Sequence, residues 1–316
     1  MKFMQYYALG IDTSNYTTSI ALVNQDRNLI LDNRKLLDVK EGQRGLRQSE
    51  ALFQHVINIP TLFHELETLS VKDKIRYISV SSRPRPREGS YMPVFCAARS
   101  YGQVLSSVLQ CKYVEFSHQE NHIEAAKWSI NNKLDDKFIG VHISGGTTET
   151  LLIEKKNNLG YEISIVGGSS DISAGQLIDR IGVKLGYRFP AGKYLDETAM
   201  KEDTVLLNLP ISVKNTFFNF SGLETKAYKL LEQYDADTVA KSIMHSAAKT
   251  FGYAILNACS ETGLKQVLCL GGVASSQYIR KYLEMFANKN NFKIYFGDGK
   301  YCTDNAVGTA LLALVQ

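Results

Sequence analysis

The stretch LGIDTSNYTTSIALV, residues 9–23, is echoed by IGVHISGGTTETLLI, residues 139–153, at an offset of 130 (139 − 9). The two align without a gap. Gly10 meets Gly140, Ser14 meets Ser144, Thr17 and Thr18 meet Thr147 and Thr148, and Leu22 meets Leu152. Each copy carries apolar and β-branched residues into a small polar turn and out again, the pattern of a β-hairpin. Two such hairpins, each opening half of the chain, imply duplicated α/β subdomains facing each other across a central cleft. We place the boundary at residues 1–135 and 136–316, with the last helix expected to pack back on the N-terminal half.

The segments beyond the hairpins fit that plan. QSEALFQHVINIPTLFHELETL (48–69) has helical spacing of its apolar residues, and IRYISVSS (75–82) reads as a strand. YMPVFCAARSYGQVLSSVLQ (91–110) reads as a helix, with the short strand KYVEF after it. In the second half, residues 238–263 form a long predicted helix ended by Gly263. QVLCLGG (266–272) reads as a buried parallel strand ending in glycines, and SSQYIRKYLEMFANK restarts a helix. Such a strand–turn–helix lets an anion approach backbone N–H groups, although a lone pair of glycines serves structural turns as often. A duplicated α/β chain of this kind describes the actin-like, sugar-kinase-like ATPase (ASKHA) architecture, whose two hairpin turns cradle phosphates.

Composition bounds the rest. The chain has 316 residues, 44% hydrophobic and 22% charged, ordinary values for a globular protein. A net charge of +4 is too small to mark a nucleic-acid binder by itself. Five cysteines, Cys96, Cys111, Cys259, Cys269 and Cys302, form no CxxC, which argues against a disulfide framework or a cysteine-rich zinc site. No run approaches the ~18 apolar residues that span a bilayer. The expectation is a cytoplasmic protein without membrane association.

HQENH, residues 118–122, sets two histidines four residues apart, on one face of a helix. His118 and His122 are therefore candidate ligands of one metal ion, against the plainer reading that they merely cover a helix. The zinc-protease pattern H-E-x-x-H puts its base directly after the first histidine, where this chain has Gln119. Glu120 lies roughly 100° further round the helix. The protease reading fails there.

Seven motifs in order resemble the TsaD family, also called the Gcp or O-sialoglycoprotease-like family. GIDTS (10–14) is similar to G-I-E-T-S, HQENH to H-x-E-G-H, and ISGGTTE (143–149) to V-S-G-G-H-T. DISAGQLIDRIGVKLGYRFPAG (171–192) is similar to D-D-A-A-G-E-A-F-D-K…L-G…P-G-G. FSGLET (220–225) resembles F-S-G-L-K-T, GGVASS (271–276) resembles G-G-V-x-x-N, and CTDNA (302–306) matches C-T-D-N-A. The resemblance implies transfer of a threonylcarbamoyl group from threonylcarbamoyl-adenylate to N6 of a tRNA adenosine beside the anticodon. It implies one iron or zinc ion on His118, His122 and Asp304, and an ATP, AMP or adenylate ligand. His142, Ile143, Ser144, Gly145 and Gly146 would form the phosphate-side turn; Asp179 and Gly192 would hold ribose or adenosine, with Ser276 nearby. Without the resemblance, Asp179 reads as an exposed helix carboxylate. The implied partners are tRNA and TsaB-like and TsaE-like proteins.

The chain also departs from the family. Asn121 replaces a glycine, Thr147 a histidine, Ser276 an asparagine, and Glu224 a lysine. SSRPRPREGSYMP (81–93) replaces a G-P-G-L loop, and its alternating prolines predict a stiff, extended segment. Arg83, Arg85 and Arg87 on it are candidate tRNA phosphate contacts, or a solvated surface loop. These changes mark a diverged paralogue. The alternatives are a diverged TsaD-like carbamoyltransferase with another acceptor and a non-catalytic nucleotide-binding regulatory partner.

Overall fold

The computed structural model describes residues 5–39, 46–131, 133–157 and 160–314. The chain divides into two compact units. The first comprises Met1–Asn131, Lys155–Glu162 and Lys300–Gln316, the second Asn132–Glu154 and Ile163–Gly299.

The first unit opens with strands β1 (Tyr7–Thr13), β2 (Thr17–Asn24) and β3 (Leu29–Leu36), then helix α1 (Gln48–Glu67), β4 (Ile75–Arg83), α2 (Phe95–Leu109), β5 (Lys112–Ser117) and α3 (His118–Ser129). The second contributes β6 (Lys137–Ile143), most of β7 (Thr148–Lys155) and of β8 (Tyr161–Ser169), α4 (Ala174–Lys184), α5 (Gly192–Ala199), β9 (Ser212–Lys214) and β10 (Phe217–Asn219). It continues with α6 (Ser221–Leu230), α7 (Ala236–Thr262), β11 (Gln266–Leu270), α8 (Gln277–Lys289) and β12 (Lys293–Phe296). The last helix, α9 (Val307–Ala313), belongs to the first unit.

The echo in the sequence is an echo in topology. One sheet has the order β3-β2-β1-β4-β5, and the other contains β8-β7-β6-β11-β12, extended by β10 and β9. β1–β2 and β6–β7 are both antiparallel, while β1–β4 and β6–β11 are both parallel. Register follows the same offset: Gly10 faces Ala21 as Gly140 faces Leu151, and Asp12 faces Ser19 as His142 faces Glu149.

Covered on both faces, β1 and β2 are buried at every position. Alternation sends Leu9, Ile11, Ile20 and Leu22 into a core with Ile59, Leu62, Ala97 and Ala98 of α1 and α2. The opposite face carries Ala8, Ala21 and Val23, packed on Ala306, Ala310 and Ala313. Small residues on that side let α9 lie close to the sheet. In the second unit, α7 runs through the largest core, with Ile243, Ala247, Phe251 and Ile255 among its buried residues. Asp235 caps it by accepting the Thr238 N–H, and Gly263 ends it in the left-handed conformation.

One predicted boundary is corrected. The helix expected over 91–110 starts only at Phe95, because the residue before Pro93 is disfavoured in helical conformation. Gln110 closes it with φ 51°.

Candidate functional site

Helix α3 begins at the first histidine. Ser117 is its N-cap, accepting the Glu120 N–H at 3.2 Å, and the Glu120 carboxylate in turn accepts the Ser117 N–H at 2.7 Å. Glu120 also accepts the Tyr161 N–H at 3.1 Å. The buried carboxylate beside the histidines is thus occupied in capping the start of the helix, consistent with its failure as a protease base.

His118 and His122 face one another with ring centroids 4.4 Å apart and Nε2 atoms 3.0 Å apart. Asp304, on the loop before α9, sets Oδ1 3.4 Å from His118 Nε2 and 3.3 Å from His122 Nε2. One ligand atom from each of the three lies within 4.8 Å of the others. Donors around a single tetrahedral ion at bond lengths of about 2.1 Å stand roughly 3.4 Å apart. Two imidazoles and a carboxylate with this spacing fit iron or zinc.

Asp12, at the end of β1 and fully buried, accepts from His118 Nδ1 at 2.8 Å. That contact orients the ring with Nε2 turned toward Asp304 and His122. Burial pulls the His118 pKa down, but the Asp12 and Asp304 carboxylates outweigh it and push it up to about 10. Burial likewise raises the Asp304 carboxyl, yet the two histidines hold it well below the usual carboxylate range. Sequence reading gave Asp12 no role. The signal was present, because the repeat aligns Asp12 with His142 (12 + 130 = 142).

Asn121 fills the place of the family's glycine and is buried. Its Oδ1 accepts the Thr309 N–H at 2.8 Å, and its Nδ2 donates to the Asn305 carbonyl. It fastens α3, which carries the histidines, to the loop that carries Asp304.

The arginine loop is not the extended segment that its prolines predict. Arg85 N–H donates to Ser90 Oγ at 3.0 Å, Arg87 N–H to Arg85 O at 2.9 Å, and Ser90 N–H to Arg87 O at 3.2 Å. Local side-chain and backbone acceptors turn the chain back on itself, which overrides the preference of isolated prolines. Arg87 is exposed, whereas Arg83 and Arg85 are half-buried. Pro84 O accepts the Gln119 N–H at 3.0 Å, which ties the loop to the first turn of α3.

The second unit holds a pocket of about 480 Å³. Of the residues expected around a nucleotide, Gly145, Asp179, Gly192 and Ser276 line it, together with Gly175, Lys193, Asp196 and Gly272. Ser144 and Gly146 share the turn with Gly145; Ser144 N–H donates to Thr147 O at 2.8 Å, so Thr147 closes that turn. Ile143 is buried in the core and offers the turn only its backbone. His142 lies on β6, paired with Leu270. Gly175 must lack a side chain, because a Cβ there would stand 2.4 Å from Gly145 Cα. That close approach brings the start of α4 against the turn.

Asp179 is no exposed carboxylate. Its Oδ1 accepts the Ala191 N–H at 2.7 Å, and burial raises its pKa against the pull of the Ala191 and Gly192 N–H groups. Ser276 caps α8, accepting the Ile279 N–H at 3.2 Å and donating to Asp196. Asp196 also accepts from Gln277 N–H at 2.8 Å and Tyr278 N–H at 3.0 Å; nothing local in the sequence announces it. Glu224, in the place of the family's lysine, is 3.2 Å from Arg180 Nη1 and accepts from Tyr228 Oη at 2.9 Å.

No helix among the described residues is long and apolar enough to cross a membrane. Among solved structures, a ROK family glucokinase from Streptomyces griseus, in complex with glucose and AMPPNP, matches with a TM-score of 0.52. It is 10% identical, over 97% of this chain and 99% of that one. The fold is that of the actin-like and sugar-kinase-like ATPases. A tRNA N6-adenosine threonylcarbamoyltransferase of Thermosipho africanus is 27% identical over 96% of this chain and 92% of its own length. One of Persephonella marina is 29% identical, over 96% and 88%. Residues 34–311 match the sequence model of TsaD, tRNA N6-adenosine threonylcarbamoyltransferase. With nearly the whole chain inside that match, the protein belongs to the TsaD family.

Proposed function

We propose that the protein transfers a threonylcarbamoyl group from threonylcarbamoyl-adenylate to N6 of a tRNA adenosine next to the anticodon. The observation that carries this reading is the convergence of His118 and His122, from one family motif, with Asp304 from a distant second motif, their ligand atoms within 4.8 Å of one another. In the reaction the adenosine N6 attacks the carbamoyl carbon; the new C–N bond forms, the bond to the AMP oxygen breaks, and N6 loses a proton.

His118, His122 and Asp304 would hold an iron or zinc ion. When bound, that ion supplies Lewis-acid polarisation of a carbonyl oxygen. Asp12 fixes the His118 ring, and Asn121 fixes the Asp304 loop to α3. The pocket of the second unit would take the adenylate, with the Gly145 turn toward phosphate and Asp179 toward ribose hydroxyls. Asp179→Ala should weaken an adenylate analogue by roughly 1–3 kcal/mol, the scale of a hydrogen bond to a charged group. Calorimetry giving equal affinity for both proteins removes Asp179 from the site.

A protein partner of the TsaB-like or TsaE-like kind is supported by exposed apolar side chains, with Phe53 and Ile57 on α1 and Val104 and Val108 on α2 each more than half exposed. The tRNA is the other proposed partner. If Arg83, Arg85 and Arg87 contact its phosphates, replacing all three with alanine lowers tRNA affinity. It also flattens the slope of log K against log salt by up to about three units. An unchanged slope makes the loop a bystander.

The direct test incubates the purified protein, with its partners, with threonylcarbamoyl-adenylate and tRNA lacking the modification. Mass spectrometry should find N6-threonylcarbamoyladenosine. A second reading, a diverged transferase with another acceptor, is favoured by Glu224 and Ser276. The family's lysine is replaced by a carboxylate paired with Arg180, and Ser276 is engaged in capping α8. Adenylate binding without tRNA product would favour it, and adenylate binding without any transfer would favour a regulatory role.

A further inference from the structure

Arg34 belongs to none of the family motifs, yet it reaches the loop that carries Asp304. It lies on β3, an edge strand of its sheet, and turns its guanidinium to Asp32 on one side and to the 300–304 loop on the other. Nε and Nη2 donate to the two carboxylate oxygens of Asp32, each at 2.8 Å. Nη1 donates to Lys300 O at 2.7 Å and lies 3.3 Å from both Thr303 Oγ1 and Asp304 O. Lys300 Nζ stands 3.4 Å from Asp32 Oδ2, closing the arrangement. Asp32 is largely shielded from solvent, so the fork is held in place rather than freely sampled. Asp304 is therefore gripped at both ends, its carbonyl by Arg34 and its carboxylate by the histidines.

We propose that Arg34, braced by Asp32, is the positioning residue that holds Asp304 against the His118–His122 pair and so sets the metal affinity of the centre. This rests on the metal reading above. An arginine suits the task because its planar group presents five N–H donors in a fixed fork, whereas a lysine ammonium is a single point of charge. Arg34 acts through the loop, on the carbonyls of Lys300 and Asp304 and the hydroxyl of Thr303.

The chain's single tryptophan reports on the same loop. Trp128 packs edge-on against Tyr301, with ring centroids 5.1 Å apart. The experiment takes the full-length wild type, Arg34→Gln and Arg34→Lys, and makes two measurements on each. The first is zinc affinity by competition with a chromogenic chelator. The second is acrylamide quenching of Trp128 in the metal-free protein. Arg34→Gln should lose about 10- to 100-fold in zinc affinity, the range for loss of an outer partner of a metal ligand. Its Trp128 should be quenched more readily, with Arg34→Lys intermediate in both. Quenching equal to wild type overturns the clamp. Greater quenching with unchanged zinc affinity overturns the link from the clamp to the centre. A wild type that takes up no zinc or ferrous iron overturns the metal reading and the affinity consequence with it, while a quenching difference still supports the clamp. If Arg34→Gln does not fold, Arg34→Lys carries both measurements.

Discussion

Replacing either His122 or Asp304 with alanine should empty the proposed centre, lowering zinc or iron affinity by more than about 100-fold. Loss of an outer partner costs about 10- to 100-fold; removal of one of only three protein ligands exceeds that. Asp12→Asn weakens the support of His118 but also removes a carboxylate that raises its pKa, so less proton competition offsets part of the loss, and it should not exceed that range. His118→Ala is the less clean variant, because it also leaves the buried Asp12 carboxylate without its imidazole. The apoprotein adds a pH signature. With its pKa raised to about 10, His118 is protonated at neutral pH and must release that proton before Nε2 can serve as a ligand. Metal uptake near pH 7 should release about one proton from this site, and apparent affinity should rise about tenfold per pH unit toward pH 10. The sign for folding is the reverse. The raised pKa stabilises the apoprotein fully below the unfolded value of about 6.5, and that contribution is lost as pH rises through about 10. Metal analysis of purified variants and calorimetry in buffers of different ionisation enthalpy check both. Wild-type stoichiometry in His122→Ala and Asp304→Ala would remove the site.

Gly308→Ala should be the most damaging single methyl in the first unit. A Cβ at Gly308 would stand 1.9 Å from the backbone O of Asn121 and 2.8 Å from its Oδ1. The nearest atom is backbone, so α3 and α9 must move apart. The expected cost is about 3 kcal/mol, the upper range for overpacking. Those two elements carry or adjoin all three proposed ligands, so metal affinity should fall with stability. Gly146→Ala is the control for stability, since a Cβ there meets nothing within 4 Å. Differential scanning calorimetry should show the first variant melting several degrees lower and the second unchanged. A Gly308→Ala protein with wild-type melting and metal uptake would mean that the α3–α9 contact does not govern the centre.

Much of the architecture was legible because it is written locally. Both hairpins follow from apolar, β-branched runs around polar turns, and the long helix from its apolar run ended by Gly263. The repeat carried the duplicated topology even into strand register. The arginine loop was misread for the opposite reason. Proline stiffness is a property of an isolated segment, and the hydrogen bonds of Arg85 and Ser90 overrode it. Asp179 was underrated in the same way, because its partners, the Ala191 and Gly192 N–H groups, come from the next element.

The sequence by itself determined the hairpin pair, the strands and helices of the segments that flank them, and the i, i+4 placement of His118 and His122 on one helical face. Tertiary structure alone decided what those histidines meet. Asp12 is 106 residues from His118, and the Asp304 carbonyl is 270 residues from Arg34. Helical and strand periodicity fixes which way a side chain points from its own element. Which distant carboxylate or carbonyl waits there depends on how the sheet brings β1, β3 and the loop before α9 beside α3, and no spacing within a single segment encodes that.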